Sequence, residues 1–104
     1  MRRARFLASV RADFLGILTY IAVSTGSIAV GETFVAMLRA KCHALAALQA
    51  IIGRPRPELR ADIRSFPYGN CVTFFRYIEG RFEVVRILER HLDIDATYGG
   101  FDPP

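Results

Sequence analysis

The sequence predicts an α+β fold in the order strand, helix, helix and then three antiparallel strands. Three observations carry that expectation. Apolar residues recur at three- and four-residue steps from Val10 to Ile52, the recurrence changes to a step of two beyond Pro57, and short Gly-containing breaks separate the strand-like runs. A chain of 104 residues suits one compact domain, so 1–104 is read as a single unit with a loose tail from about residue 97. With 52% apolar residues, eight Phe and four Tyr, disorder and fibrous repeats are excluded.

The elements follow in order. Arg5-Phe6-Leu7 forms a short first strand, and Ser9 is positioned as the N-cap of a helix from about Val10 to Ser24. Asp13 stands near the positive end of that helix, where a carboxylate is favoured. Val10, Phe14, Ile17, Leu18 and Ile21 make one buried stripe, whereas Leu15, Tyr20 and Val23 lie off it and call for cover from outside. Thr25-Gly26-Ser27 breaks the chain before a second helix from about Ser27 to Ile51. Its seam, Ile28, Val35, Leu38, Cys42, Leu45 and Ile52, packs against the first helix in an antiparallel hairpin. Gly53 is read as its left-handed cap, and Pro55 and Pro57 forbid continuation.

Strands are expected at Ile63–Tyr68, Cys71–Ile78 and Arg81–Leu88, with turns at Tyr68-Gly69-Asn70 and Glu79-Gly80. A two-residue loop at Glu79-Gly80 sets Tyr77 opposite Phe82, Arg76 opposite Glu83 and Thr73 opposite Arg86. One face then holds Val72, Phe74, Arg76, Glu83, Val85 and Ile87, and the other Cys71, Thr73, Phe75, Tyr77, Phe82, Val84, Arg86 and Leu88. Both faces are largely apolar, so one packs on the hairpin and the other needs at least partial cover from elsewhere.

The net charge is +4, and thirteen of the fourteen basic residues are Arg, with Lys41 the exception. Arginine favours planar, bidentate contacts with carboxylate or phosphate, which suits an acidic protein partner or a nucleic acid without choosing between them. Cys42 and Cys71 match no zinc or redox spacing and are read as buried, reduced thiols. With His43 and His91 the only histidines, no metal site and no cofactor are expected. Arg2, Arg3 and Arg5 before the apolar run Phe14–Val23 imitate a secretory leader, but Asp13 borders the run, no cleavage site follows, and the run is too short to span a bilayer. A cytoplasmic location without membrane contact is the expectation.

From Gly53 to Arg86 the chain carries Gly-Arg-Pro-Arg-Pro-Glu-Leu-Arg, Ile63-Arg64-Ser65-Phe66-Pro67, Phe74-Phe75-Arg76-Tyr77 and Glu83-Val84-Val85-Arg86-Ile87-Leu88. With Arg11-Ala12-Asp13 and Tyr20-Ile21-Ala22 upstream, these segments resemble, in order and spacing, the ParE branch of the ParE/RelE toxin superfamily. The sequence departs from that pattern at Leu15 and Gly16, where ParE toxins usually carry acidic residues, and at Glu89-Arg90-His91-Leu92-Asp93, which replaces a His-Gly-Ala-Arg-Asp phrase.

The resemblance implies the toxin of a type II toxin–antitoxin pair that binds DNA gyrase and is neutralised by a ParD-like antitoxin in a hetero-oligomer. The alternative it raises is ribosome-dependent mRNA cleavage of the RelE kind. That chemistry needs cations at the phosphorane charge and a proton donor. The superfamily's arginine positions for it fall on Val72 and Leu92 here, neither of which can stabilise an anion. No catalytic residue is therefore assigned. The expected antitoxin contacts are Phe14, Leu15, Leu18 and Tyr20, flanked by Arg60, Arg64 and Arg86, and the residues expected to carry toxicity are Arg76, Arg86, His91 and Tyr98. A stand-alone domain that reads nucleic-acid sequence directly is not supported, because the candidate recognition helices are too apolar to enter a groove.

Overall fold

The computed structural model describes residues 2–90. β1 (Ala4–Phe6) leads into α1 (Ala8–Thr25), α2 (Ile28–Ala47) returns, and β2 (Arg54–Pro55), β3 (Arg64–Tyr68), β4 (Cys71–Ile78) and β5 (Arg81–Glu89) follow. The sequence order stands, with the two-residue β2 added. The strands form one sheet in the order β1-β5-β4-β3-β2, with β1 parallel to β5 and the other pairs antiparallel.

Ser9 is not the cap of α1. Leu7 holds that position without a side-chain cap bond. The reason lies in the edge of β5, which loses its neighbour where β1 ends at Phe6. Ser9 Oγ donates to the Val85 carbonyl at 3.0 Å, and Asp13, one turn further along α1, accepts from the Ile87 N–H at 2.9 Å. Two polar side chains of the helix thus satisfy the backbone groups the short strand leaves bare.

At the helix–helix turn Gly26 adopts φ 74°, and Ser27 Oγ accepts from the Val30 N–H, so the expected break and cap are in place. Gly31 is where the helices approach most tightly: a Cβ there would lie 2.8 Å from the Leu18 carbonyl oxygen. The seam of α2 is Gly31, Leu38, Cys42 and Ala46, with Val35 and Leu45 half-buried; Ile28 lies outside it, 65% exposed.

Helix α2 stops at Ala47, short of Ile51. Leu48 turns extended and gives its carbonyl to the Arg2 guanidinium at 2.8 Å, and the Ile52 N–H donates to Tyr77 Oη at 3.1 Å. These bonds carry the chain off the helix and onto the sheet, so neither Ile52 nor Gly53 belongs to the helix. Gly53 (φ 88°) serves the sheet instead, since a Cβ there would meet the Phe75 ring at 2.6 Å.

Glu79 and Gly80 both take positive φ, 50° and 74°, the signature of a two-residue hairpin turn. Tyr77 faces Phe82 and Arg76 faces Glu83 as the spacing requires. Beyond Phe75 the register slips: Phe75 pairs Val84 but Phe74 pairs Arg86, leaving Val85 as the extra residue of a bulge. Thr73 consequently meets Ile87 rather than Arg86, and Ile87 and Leu88 exchange the faces expected of them. Ile87 joins Phe75, Phe82, Val84 and Cys71 in the core beneath the helices, and Leu88 joins Phe74, Val85 and Ile63 on the other side.

That second face corrects another expectation. Phe74, Val85, Leu88 and Ile63 are each 3% exposed or less, with Leu59 packed against them. The segment between β2 and β3 folds across the outer side of the sheet, so the chain covers this face itself.

Candidate interaction surfaces

The arginines nominated from the sequence are held within the fold. Arg86 is clamped to Asp13 by two parallel bonds, Nε to Oδ2 at 2.9 Å and Nη2 to Oδ1 at 3.1 Å, so it ties the bulged part of β5 to α1. Arg64 donates to the Ile52 and Gly53 carbonyls, both at 2.8 Å, fixing the chain where it enters β2. Arg60 pairs with Asp62 at 2.8 Å, and its side chain is only 12% exposed. Arg76 lies between Glu83 at 2.8 Å and Asp62 at 3.2 Å. Burial alone would pull the Arg76 pKa down, but the bonds to Glu83 and Asp62 outweigh it and hold the guanidinium above its usual value. Asp62 is in turn held below the usual carboxylate value, first by its hydrogen bond from Arg60. Arg60, expected at the antitoxin contact, is part of this internal network, and Arg64, expected there too, is tied instead to backbone carbonyls.

Phe14 is also internal, 4% exposed, with its ring 5.6 Å from that of Phe6 and the Arg39 guanidinium 4.6 Å above it. It belongs to the core and offers no free surface. Leu18 is half-buried at the helix crossing; Leu15 and Tyr20 are exposed. His91 and Tyr98 lie outside the described residues.

The exposed apolar surface is broader on the hairpin than Leu15 and Tyr20 alone. Val23 is 79% exposed, Ile28 65%, Met37 55% and Val30 48%. Along α2, Ala29, Val30, Thr33, Phe34 and Met37 line an apolar groove of about 370 Å³, with Phe34 held against Tyr68 at 5.7 Å between ring centroids. Between Phe14 and Leu38 the only charged residue is Glu32. That gap in the charge pattern is the signal in the sequence that could have located the whole surface.

A second concavity, about 280 Å³, is lined by Arg54, Arg56, Ser65, Pro67, Val72 and Arg90. Arg54 and Arg90 were not singled out from the sequence. Among the described residues no group of three or more His, Cys, Asp or Glu is placed to hold a metal ion. Burial pushes the Cys42 thiol up to about 12 and the Cys71 thiol up to about 11, so both are inert at neutral pH. No helix among the described residues is long and apolar enough to cross a membrane.

This combination of a five-stranded sheet, an α-helical hairpin on one face and a covering loop on the other defines the class: a two-helix, five-strand α+β fold. A solved structure titled as the chromosomal ParDE toxin–antitoxin system of P. aeruginosa has the same architecture, with a TM-score of 0.74, 17% sequence identity, and coverage of 86% of this chain and 96% of that one. The model of the ParE toxin of the type II toxin–antitoxin system parDE matches residues 4–93, and the chain belongs to that family. No curated protein matches it.

Proposed function

We propose that the chain is a ParE-type toxin that inhibits DNA gyrase by binding and is neutralised by a ParD-like antitoxin in a hetero-oligomer in the cytoplasm. The observation that carries this reading is the family match across residues 4–93. The antitoxin docks along the helical hairpin, with Leu15, Leu18 and Tyr20 at the contact. Val23 and Met37 extend it, because large apolar side chains exposed on one charge-poor hairpin need a partner to leave water. The apolar contacts supply most of the affinity.

Action by binding is supported by the occupation of the nominated arginines. Arg60, Arg64, Arg76 and Arg86 each spend their donors inside the fold and are not free to meet a phosphorane. Toxicity residues Arg76 and Arg86 therefore act through the shape of the sheet.

Induced expression with and without the neighbouring antitoxin reading frame, followed by a gyrase cleavage assay and a ribosome-dependent mRNA cleavage assay on purified protein, tests the reading. Rescue of growth by the neighbour together with stabilised gyrase–DNA cleavage is expected. Cut mRNA with gyrase unaffected contradicts it.

A further inference from the structure

Helix α2 carries an apolar groove and, beside it, two opposite charges that its own fold does not join. Glu32 is the helix's one carboxylate, and Arg39 follows seven residues further along. Both are exposed, and among the described residues neither makes a hydrogen bond or ion pair. Arg39 rests over the Phe6 and Phe14 rings, at 5.2 and 4.6 Å, a contact that uses none of its N–H donors. Seven residues make about two turns, so the two side chains stand on the same side of the helix but roughly 10 Å apart along its axis. That is too far for them to pair within one chain.

We propose that α2 is the interface of a two-fold symmetric dimer, in which a second copy of this chain lies antiparallel against it about Ala36. Reversing the second helix sets Glu32 of each copy beside Arg39 of the other, and the symmetry repeats that ion pair on both sides of the axis. A parallel copy would oppose Glu32 to Glu32 and Arg39 to Arg39, so the charges fix the direction. On the opposite flank Met37 of each copy falls against Thr33, Phe34 and Met37 of the other and fills the groove of about 370 Å³. Between the flanks the outward residues are Ala29, Thr33, Ala36 and Ala40, all exposed and small enough for the two helix axes to approach to roughly 8–10 Å. One helix about 30 Å long covers less than the about 800 Å² per partner of a stable interface, so the dimer is weak and reversible. On the toxin reading Met37 belongs to the antitoxin contact as well, and the antitoxin then takes the place of the second copy.

The test is sedimentation velocity of the full chain over about 5 to 300 µM, the range in which a weak contact shows. The sedimentation coefficient of the unmodified chain is expected to rise with concentration. Glu32→Arg and Arg39→Glu should each self-associate at least tenfold more weakly, because each sets like charges against one another twice. An equimolar mixture of the two variants should recover the association, since every charged contact of the mixed dimer then joins a base to an acid. An unfolded variant cannot give that recovery. Met37→Glu, which leaves the contacts of Arg39 with the rings alone, should weaken self-association at least tenfold too, with a melting curve that overlays the parent. An unmodified chain that stays monomeric throughout the range, a mixture that associates no more than its components, or a Met37→Glu variant that dimerises like the parent would each overturn the proposal. Because no antitoxin or gyrase enters this assay, its failure leaves the toxin reading where it was.

Discussion

The sheet half and the helical hairpin treat charge in opposite ways. Among the described residues every ion pair lies in the sheet half or, in the case of Asp13 and Arg86, joins the sheet to the early part of α1. In that half both apolar faces are sealed, one by the helices and one by the chain segment around Leu59 and Ile63. The hairpin beyond Phe14 has one charged residue up to Leu38 and leaves Leu15, Val23, Ile28 and Met37 more than half exposed. A protein that can bury an apolar sheet face under its own loop, yet leaves its helices bare, separates a self-sufficient scaffold from a surface that needs a partner. The first region should answer to mutation in stability and the second in binding.

The largest effect belongs to the sheet core. Phe75 is fully buried, stacked on Phe82 at 4.4 Å between ring centroids. Phe75→Ala should cost about 3–5 kcal/mol in urea unfolding. Next comes the clamp between the two regions: Asp13→Ala strands both the Arg86 guanidinium and the Ile87 N–H. We expect a loss of about 2–3 kcal/mol, since Arg86 retains some access to water. An effect no larger than that of an ordinary surface substitution would show that the clamp is dispensable.

A smaller and opposite effect is expected at Thr73, whose Oγ1 is buried without a hydrogen-bond partner among the described residues. Thr73→Val keeps the shape and removes the unsatisfied hydroxyl, so it should be neutral or stabilise by about 1 kcal/mol; a clear loss would reveal a bond to a water. Acidification gives a graded test of the charge network. Asp62 titrates below its ordinary 3.8 in the folded chain, chiefly through the bond from Arg60. Its contribution to stability is therefore complete above that value and is lost as the pH falls through the lower, folded one. The Asp62→Asn variant should show a shallower loss of stability on acidification than the parent, and identical acid titrations would refute the linkage. Least visible in stability is the hairpin. Leu15→Glu and Val23→Glu should each change unfolding by no more than about 0.5 kcal/mol while weakening antitoxin binding at least tenfold.

The α+β class, the helical hairpin and the three-strand meander were legible because each rests on a local period, and the Glu79-Gly80 turn fixed Tyr77 against Phe82 without tertiary information. What escaped depended on contacts distant in sequence. The bulge at Val85 follows from how β5 meets both β4 and α1, and no alternation pattern in Arg81–Leu88 announces it. The early end of α2 is set by Arg2 and Tyr77, 46 and 25 residues from their partners. Site residues suffered most, because an arginine in a sequence carries no sign of whether it will find an acid: Arg60, Arg64 and Arg86 found internal partners, and Arg54 and Arg90 were left for the surface. Leu15 and Tyr20 were legible as surplus apolar surface because they fall off the buried stripe of α1. Phe14 lies on that stripe and is core.

Hydrogen–deuterium exchange of the chain alone and bound to the antitoxin encoded beside it tests the division between scaffold and partner surface most directly. Slowed exchange concentrated between Leu15 and Met37, with the amides of β3 to β5 unchanged, is the predicted result. Protection confined to β1 or to the β2–β3 edge, with the hairpin exchanging as it does in the free chain, would contradict it.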